Sequence, residues 1–219
     1  MQKLDTLLQK SVWEKEESIF PSTSGYIASI DEVGRGALFG PVTLGMVLWS
    51  LQEEHSKING IRDSKELNEP YREQLCEQIE QSHICDVVHI GSRFIDTYNI
   101  NRAIEYGIYK IVSKYRKQGY FINAILLDGN YRFVYPNLHC PSAMPEIIPQ
   151  KKADSRFYSV AAASIVAKVK RDGLMKLAGK KHPQYGFERH KGYGTKEHWK
   201  AIRQHGVLSY HRKSFLKGL

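Results

Sequence analysis

The chain has 219 residues, of which 42% are hydrophobic and 11% aromatic, enough for one sizeable core and against disorder. No apolar run approaches the roughly 20 residues of a membrane span, and the acid-bearing N-terminus lacks the apolar stretch of a secretory signal. The net charge is +9, and the three cysteines lack CxxC spacing, which argues for a reducing cytoplasm and against a disulfide framework or a zinc site.

Residues 1–20 read as an amphipathic helix or loose arm ahead of one α/β domain over 21–219. "GYIASIDEV" and "PVTLGMVLWS" read as two strands joined by a glycine-rich turn. "LNEPYREQLCEQIEQS" reads as a helix with Asn68 as N-cap and Pro70 in the first turn. "ICDVVHIG" predicts a third strand, and residues 95–119 a helix with apolar positions at Ile100, Ala103, Ile104 and Ile108. "FINAILLDGN" predicts a buried strand ending at Asp128, and "SAMPEIIPQ" a short one. Residues 155–179 predict one long helix, and "TKEHWKAIRQHG" a last helix capped by Thr195 and closed by Gly206. Strands that come first and then mix with helices suggest a mixed sheet, with a core over about 25–179 and a basic helical part over about 180–219.

The charge is unevenly spread. Residues 168–219 hold 14 Lys and Arg but only Asp172, Glu188 and Glu197 as acids. A region this basic suggests a polyanion partner, or a solubilising face.

Four acids stand where acids are costly. Asp31 and Glu32 end one strand, Asp128 ends another, and Asp154 precedes the long helix. Singly they read as a solvated strand end, a turn and an N-cap. Together, as oxygen ligands without His or Cys beside them, they fit Mg²⁺ or Mn²⁺. Two such ions can activate water and stabilise the leaving oxygen of a phosphodiester. Neighbouring strand residues face opposite ways, so Asp31 and Glu32 share a site only if the chain bends, which Val33-Gly34-Arg35-Gly36 would supply. Those glycines would bring backbone close to a ligand, with Arg35 meeting a phosphate or sugar.

These motifs resemble those of the bacterial ribonuclease HII family, the type 2 ribonucleases H. "DEVGRGALFGPV", "DSKEL" at 63–67, "LLDGN" at 126–130, "KKADSRFYSVAAASIVAKVKRD" and "HPQYGFERHKGYGT" at 182–195 follow the order of the family's signatures, covering about 27–215. The resemblance implies a ribonuclease H-like fold, a mixed five-stranded sheet flanked by helices with a helical C-terminal extension. It implies a metal site of Asp31, Glu32, Asp128 and Asp154 that takes two ions, Mg²⁺ or Mn²⁺, with substrate bound. Gly34, Arg35 and Gly36 would grip the ribonucleotide, and Tyr193 would pack on the adjacent sugar. The implied activity is cleavage of RNA–DNA hybrids and 5′ to single ribonucleotides in duplex DNA, leaving 3′-hydroxyl and 5′-phosphate ends. The family usually has glycine at the position of Ala153, and alanine tolerates positive φ poorly, so strain is expected beside Asp154.

Further candidates for phosphate contact are Ser64, Lys65, Asn130, Ser164, His190 and Lys191. His182, His198 and His205 are spaced unlike zinc ligands and read as surface or cleft residues. Tyr185 and Phe187 read as packing. The expected partners are RNA–DNA hybrid and ribonucleotide-containing duplex, with no membrane and a monomeric chain. A non-catalytic nucleic-acid-binding domain would not gather four carboxylates beside phosphate. A transposase or resolvase would not need "GRG" and "HKGY", which suit a 2′-hydroxyl.

Overall fold

The computed structural model describes residues 13–20, 24–52, 57–130 and 144–217. Its centre is β2 (Val42–Ser50), whose nine residues are all buried. A strand buried on both faces needs cover on both. Val47 and Trp49 pack with Leu75 and Ile79 of α1 (Glu69–Ser82) and Val160 to Val166 of α4 (Tyr158–Lys181). Leu44, Met46 and Leu48 pack with Ile104, Ile108 and Ile111 of α2 (Ser92–Lys117) on the other face.

β1 (Tyr26–Val33) pairs antiparallel with β2 and parallel with β4 (Ile122–Asp128). β3 (Ile84–Ile90) flanks β2 antiparallel, and β5 (Glu146–Gln150) flanks β4 parallel. The order β3-β2-β1-β4-β5 is the mixed five-stranded sheet expected. Asn68 caps α1, accepting from the Tyr71 amide at 3.0 Å.

α4 lies close to the sheet because small residues meet there. A Cβ on Gly45, the partner of Asp31 across the β1–β2 pair, would sit 2.3 Å from the Ala163 carbonyl oxygen. Four of the α4 residues over this contact are alanine, and Val160 to Ala167 are all buried.

Three sequence expectations change. The helix expected over 155–179 is two: α3 (Ala153–Arg156) and α4, separated by Phe157 in an extended conformation (φ −114°, ψ 126°). The α2 stretch bends at Asn99 (φ 71°), whose side chain accepts from the amides of Asn101 and Arg102 and so caps the second segment. Of the arm at 1–20, residues 1–12 lie outside the described residues. Residues 13–18 are no amphipathic helix but a bridge from Glu14 to Phe157 and a single turn of 3-10 helix at Glu16–Ser18.

The basic C-terminal part is fused to the core. It comprises a 3-10 turn at Pro183–Tyr185, α5 (Phe187–His190), α6 (Lys196–His205) and a 3-10 turn at Lys213–Phe215. Its apolar residues Tyr185, Phe187, Ala201 and Ile202 pack on Leu38 and Phe39 from the glycine-rich loop after β1. Phe39 stacks on Phe187 with ring centroids 4.0 Å apart.

The Gly45 contact is with backbone, which cannot swing aside. Gly45→Ala should therefore lose roughly 2–3 kcal/mol in urea denaturation, the cost of overpacking a tight core site. A loss below about 0.5 kcal/mol would show that α4 can slide outward.

Candidate active site

The sheet and α4 bring three aspartates to one face. Asp31 alternates in phase with Ile27 and Ser29, and Ser29 meets Ser159 of α4 at 2.7 Å. Asp128 alternates in phase with Leu126, which packs in the same core cluster as α4. Asp154 stands on α3, directly before α4, and is buried.

Burial, with the neighbouring Glu32, Asp128 and Asp154 carboxylates, raises the Asp31 carboxyl well above its usual range, against an opposing hydrogen bond from Ser164. Burial and the Asp128 charge likewise raise Asp154. Lys65 lies 3.6 Å from Asp154 Oδ2 and 3.9 Å from Asp63 Oδ1. Burial works against its charge, but the attraction of Asp63, Asp154, Asp31 and Asp128 raises the ammonium pKa overall. Among the described residues no three His, Cys, Asp or Glu side chains stand close enough to form a ready-made ion cage.

Glu32 is placed differently. β1 continues through Asp31 and Glu32, paired to Gly45 and Leu44, and ends at Val33, so the chain leaves the strand in the Val33–Gly36 stretch expected, past both acids. The Glu32 carboxylate lies 3.8 Å from Arg35 Nη1.

The strain expected at Ala153 falls one residue earlier. Lys152 adopts the left-handed conformation (φ 55°, ψ 39°), while Ala153 begins α3 and donates its amide to Asp128 Oδ1 at 2.7 Å. Two of the aspartates are thus joined through the backbone of α3.

Ser64 and Ser164, expected at phosphates, are buried instead, with hydroxyl oxygens 2.9 Å apart. His190 is buried too. Its Nε2 donates to the Tyr185 carbonyl at 2.7 Å, and its Nδ1 accepts from the Gly192 amide at 3.3 Å. Lys191 is half-buried and pairs with Glu69 at 3.5 Å. Asn130 is exposed just past β4.

The glycine-rich loop and the "HKGY" turn form one unit. The Leu38 and Phe39 amides both donate to the Gly192 carbonyl, and Ala37 bridges to Tyr193. Gly34 has φ 87°, and a Cβ there would strike the Arg171 side chain. Gly36 differs: it is exposed, with ordinary φ and nothing within 4 Å of a Cβ position. Arg35 Nη2 donates to Asn101 Oδ1 at 2.6 Å.

Sequence reasoning missed what holds this unit. Arg171 and Arg212 are fully buried. Arg171 donates to the carbonyls of Pro41, Lys191 and Phe39, and Arg212 to those of Gly40 and Arg35. The Arg171 guanidinium also lies 5.4 Å from the Tyr193 ring centroid.

His198 is likewise buried rather than at the surface, whereas His205 is exposed. The Leu208 amide donates to His211 Nδ1, so His211 carries its proton on Nε2. That proton goes to His198 Nε2, 3.1 Å away, and His198 Nδ1 donates to the Tyr193 carbonyl. This chain works only with both rings neutral. Burial pulls both imidazoles down to about 4.

The fold matches solved ribonuclease H structures. The ribonuclease HII of a PCNA complex from Archaeoglobus fulgidus superposes with TM-score 0.65 at 21% identity, covering 86% of this chain and 94% of that one. A ribonuclease HIII described in complex with Mn²⁺ superposes with TM-score 0.61 at 22% identity, covering 84% and 63%. The architecture is therefore that of a ribonuclease H. The Ribonuclease HII family profile matches residues 28–217. The ribonuclease HII of Clostridioides difficile is 38% identical over 89% of this chain and 71% of its own length. That of Bacillus cytotoxicus is 42% identical over 87% and 68%. The chain belongs to the ribonuclease HII family, whose activity is that of a nuclease on RNA–DNA hybrids.

Two outcomes follow. The unfolded chain protonates His198 and His211 near 6.5, but the folded one holds them neutral to about 4, so stability is lost as pH falls from 6.5. Between pH 7 and pH 5 this should lower Tm by roughly 5–10 °C, and two imidazoles should remain unprotonated at pH 5 by NMR; nine ordinary titrations would refute it. Asp31 acts in the opposite sense, because its raised pKa makes the charged form costly at neutral pH. Asp31→Asn should raise Tm at pH 7 in chelator and abolish cleavage. A lower Tm would mean that Asp31 is not under repulsion.

Proposed function

We propose that this chain is a divalent-metal-dependent endonuclease that cuts the RNA strand of RNA–DNA hybrids and the 5′ side of single ribonucleotides in duplex DNA, leaving 3′-hydroxyl and 5′-phosphate ends. The observation that carries the reading is the gathering of Asp31, Asp128 and Asp154 on one face, with Asp31 held far above its usual pKa by burial and like charge. Such a set fits a hard cation, all its donors being oxygen. Small hard ions are commonly held by one or two carboxylates with substrate phosphate and water completing the set, so such a site does not require a closed protein cage. Asp31, Asp128, Asp154 and Glu32 would hold the ions. When bound, they would acidify a water and offset charge on the scissile phosphate.

The chain's own residues supply position and selectivity. Lys65, exposed and beside Asp154, offers a point charge to a phosphate. Gly36 has no internal reason to be glycine, and its open Cβ position leaves room for a ribose against the backbone. Backbone donors and acceptors there can recognise a 2′-hydroxyl, which both donates and accepts. Tyr193 is fixed relative to this loop by its bridge to Ala37, so its ring marks where the next sugar lies. Ser164 turns inward to Asp31, with Ser64 hydrogen-bonded behind it, rather than to phosphate.

The test is a duplex carrying one ribonucleotide, incubated with Mg²⁺, with Mn²⁺ and with chelator. A single cut 5′ to the ribonucleotide that chelator abolishes is the expected result; cleavage in chelator, or of all-DNA duplex, overturns the proposal. Tyr193→Ala should lower cleavage at the single ribonucleotide more than cleavage of long hybrids, where many registers are open. An equal fall on both would withdraw the sugar-reading role.

A further inference from the structure

Residues 13–18 lie outside the family match at 28–217, yet they pack on the backbone that carries Asp154. α3 has four residues, follows a left-handed lysine and has no side-chain cap. A helix this short does not hold itself. On one side its first amide is fixed by Asp128. On the other side the N-terminal segment takes hold. The Glu14 amide donates to the Arg156 carbonyl at 2.9 Å, and Glu14 bridges to Phe157 as a parallel strand would. The Glu14 carboxylate receives Arg156 Nε and Nη2 at 2.7 and 2.8 Å, a two-point grip, while Arg156 Nη1 donates to Gln150 at 2.8 Å.

The same segment serves α4. Phe157, at its N-cap, makes no side-chain cap. Glu16, 1% exposed, supplies the missing acceptor: its Oε1 takes the Ser159 amide at 3.1 Å. A carboxylate at the start of a 24-residue helix also meets the positive end of its dipole. Trp13 seals the contact, edge-on to Tyr158 at 6.1 Å.

We infer that Glu14 and Glu16 form a strap that positions Asp154 by clamping the α3–α4 junction from outside the span of the family profile. They are positioning residues, acting through Arg156 and the Ser159 amide. The inference rests on the assignment of Asp154 to the ion site. A group that orients a metal ligand from one shell out changes ion affinity and turnover by roughly tenfold or more. An exposed ion pair changes global stability by only about 0–1 kcal/mol. The Glu14–Arg156 half of the strap therefore acts on geometry more than on folding.

The experiment uses the full chain. Glu14→Ala should lower kcat about tenfold with KM for the duplex within twofold, and weaken Mn²⁺ binding to the substrate-free protein, measured by calorimetry, by a similar factor. Arg156→Ala should match it, and the double variant should be no worse than either single one, as expected for a coupled pair. Glu16→Ala should lose kcat while Glu16→Gln, which keeps the acceptor oxygen, restores it. Glu14→Gln, the mildest change at that position, should show a smaller loss in the same direction. If Glu14→Ala and Glu14→Gln keep kcat and Mn²⁺ affinity within twofold of the parent while Asp154→Asn abolishes cleavage, the strap is only a staple and the inference fails. If Asp154→Asn cleaves normally, the ion-site assignment falls first.

Discussion

Two buried guanidinium groups organise the glycine-rich loop and everything packed on it. A charge taken out of water is costly unless donors or acceptors surround it. Arg171 and Arg212 meet that demand almost wholly with main-chain carbonyls, drawn from Arg35, Phe39, Gly40, Pro41 and Lys191. Each carbonyl so used belongs to a segment that could not be tied down by its own side chains, being rich in glycine and short of regular structure. The cations act as rivets: the loop folds around them because they cannot be left bare. Tyr193, Gly36 and Arg35 take their places from that packing, and the aromatic stack of Phe39, Phe187 and Tyr185 seals it from water.

The acidic side obeys the opposite logic. The rigid sheet and a helix built of alanine and serine press like charges together, and Asp31 answers by resisting ionisation. Holding these aspartates together costs stability whenever they are charged.

Much of this was legible in the residues. β1, β2 and α1 announced themselves through apolar runs, a glycine turn and Asn68 followed by Pro70. The aspartates were legible because acids at strand ends are expensive. What escaped reading depends on distance along the chain. The break at Phe157 is invisible in a stretch that is helix-forming on both sides, because tertiary packing selects the extended residue. The His198–His211 pair escaped because its meaning lies in which ring nitrogen faces which, and spacing carries no such information. Ser64 and Ser164 were candidates for phosphate contact, with a turn and a packing role as their alternatives; both are buried and bonded to each other. Ala153 was read as strained, yet the unusual backbone angle is taken by Lys152, one position earlier.

The rivets also fix an order of events in time. Arg212 grips carbonyls that precede it by 172 and 177 residues, and Arg171 one that precedes it by 130. During synthesis β1, the glycine loop and the aspartate of the first strand leave the ribosome long before the cations that shape the loop exist. Until the stretch around Arg212 has been made, the carbonyls of Arg35 and Gly40 lack the donor that ties them down. Closure of the glycine-rich loop therefore waits on a residue far downstream of it, whereas the β1–β2 pair is made between neighbours in the chain.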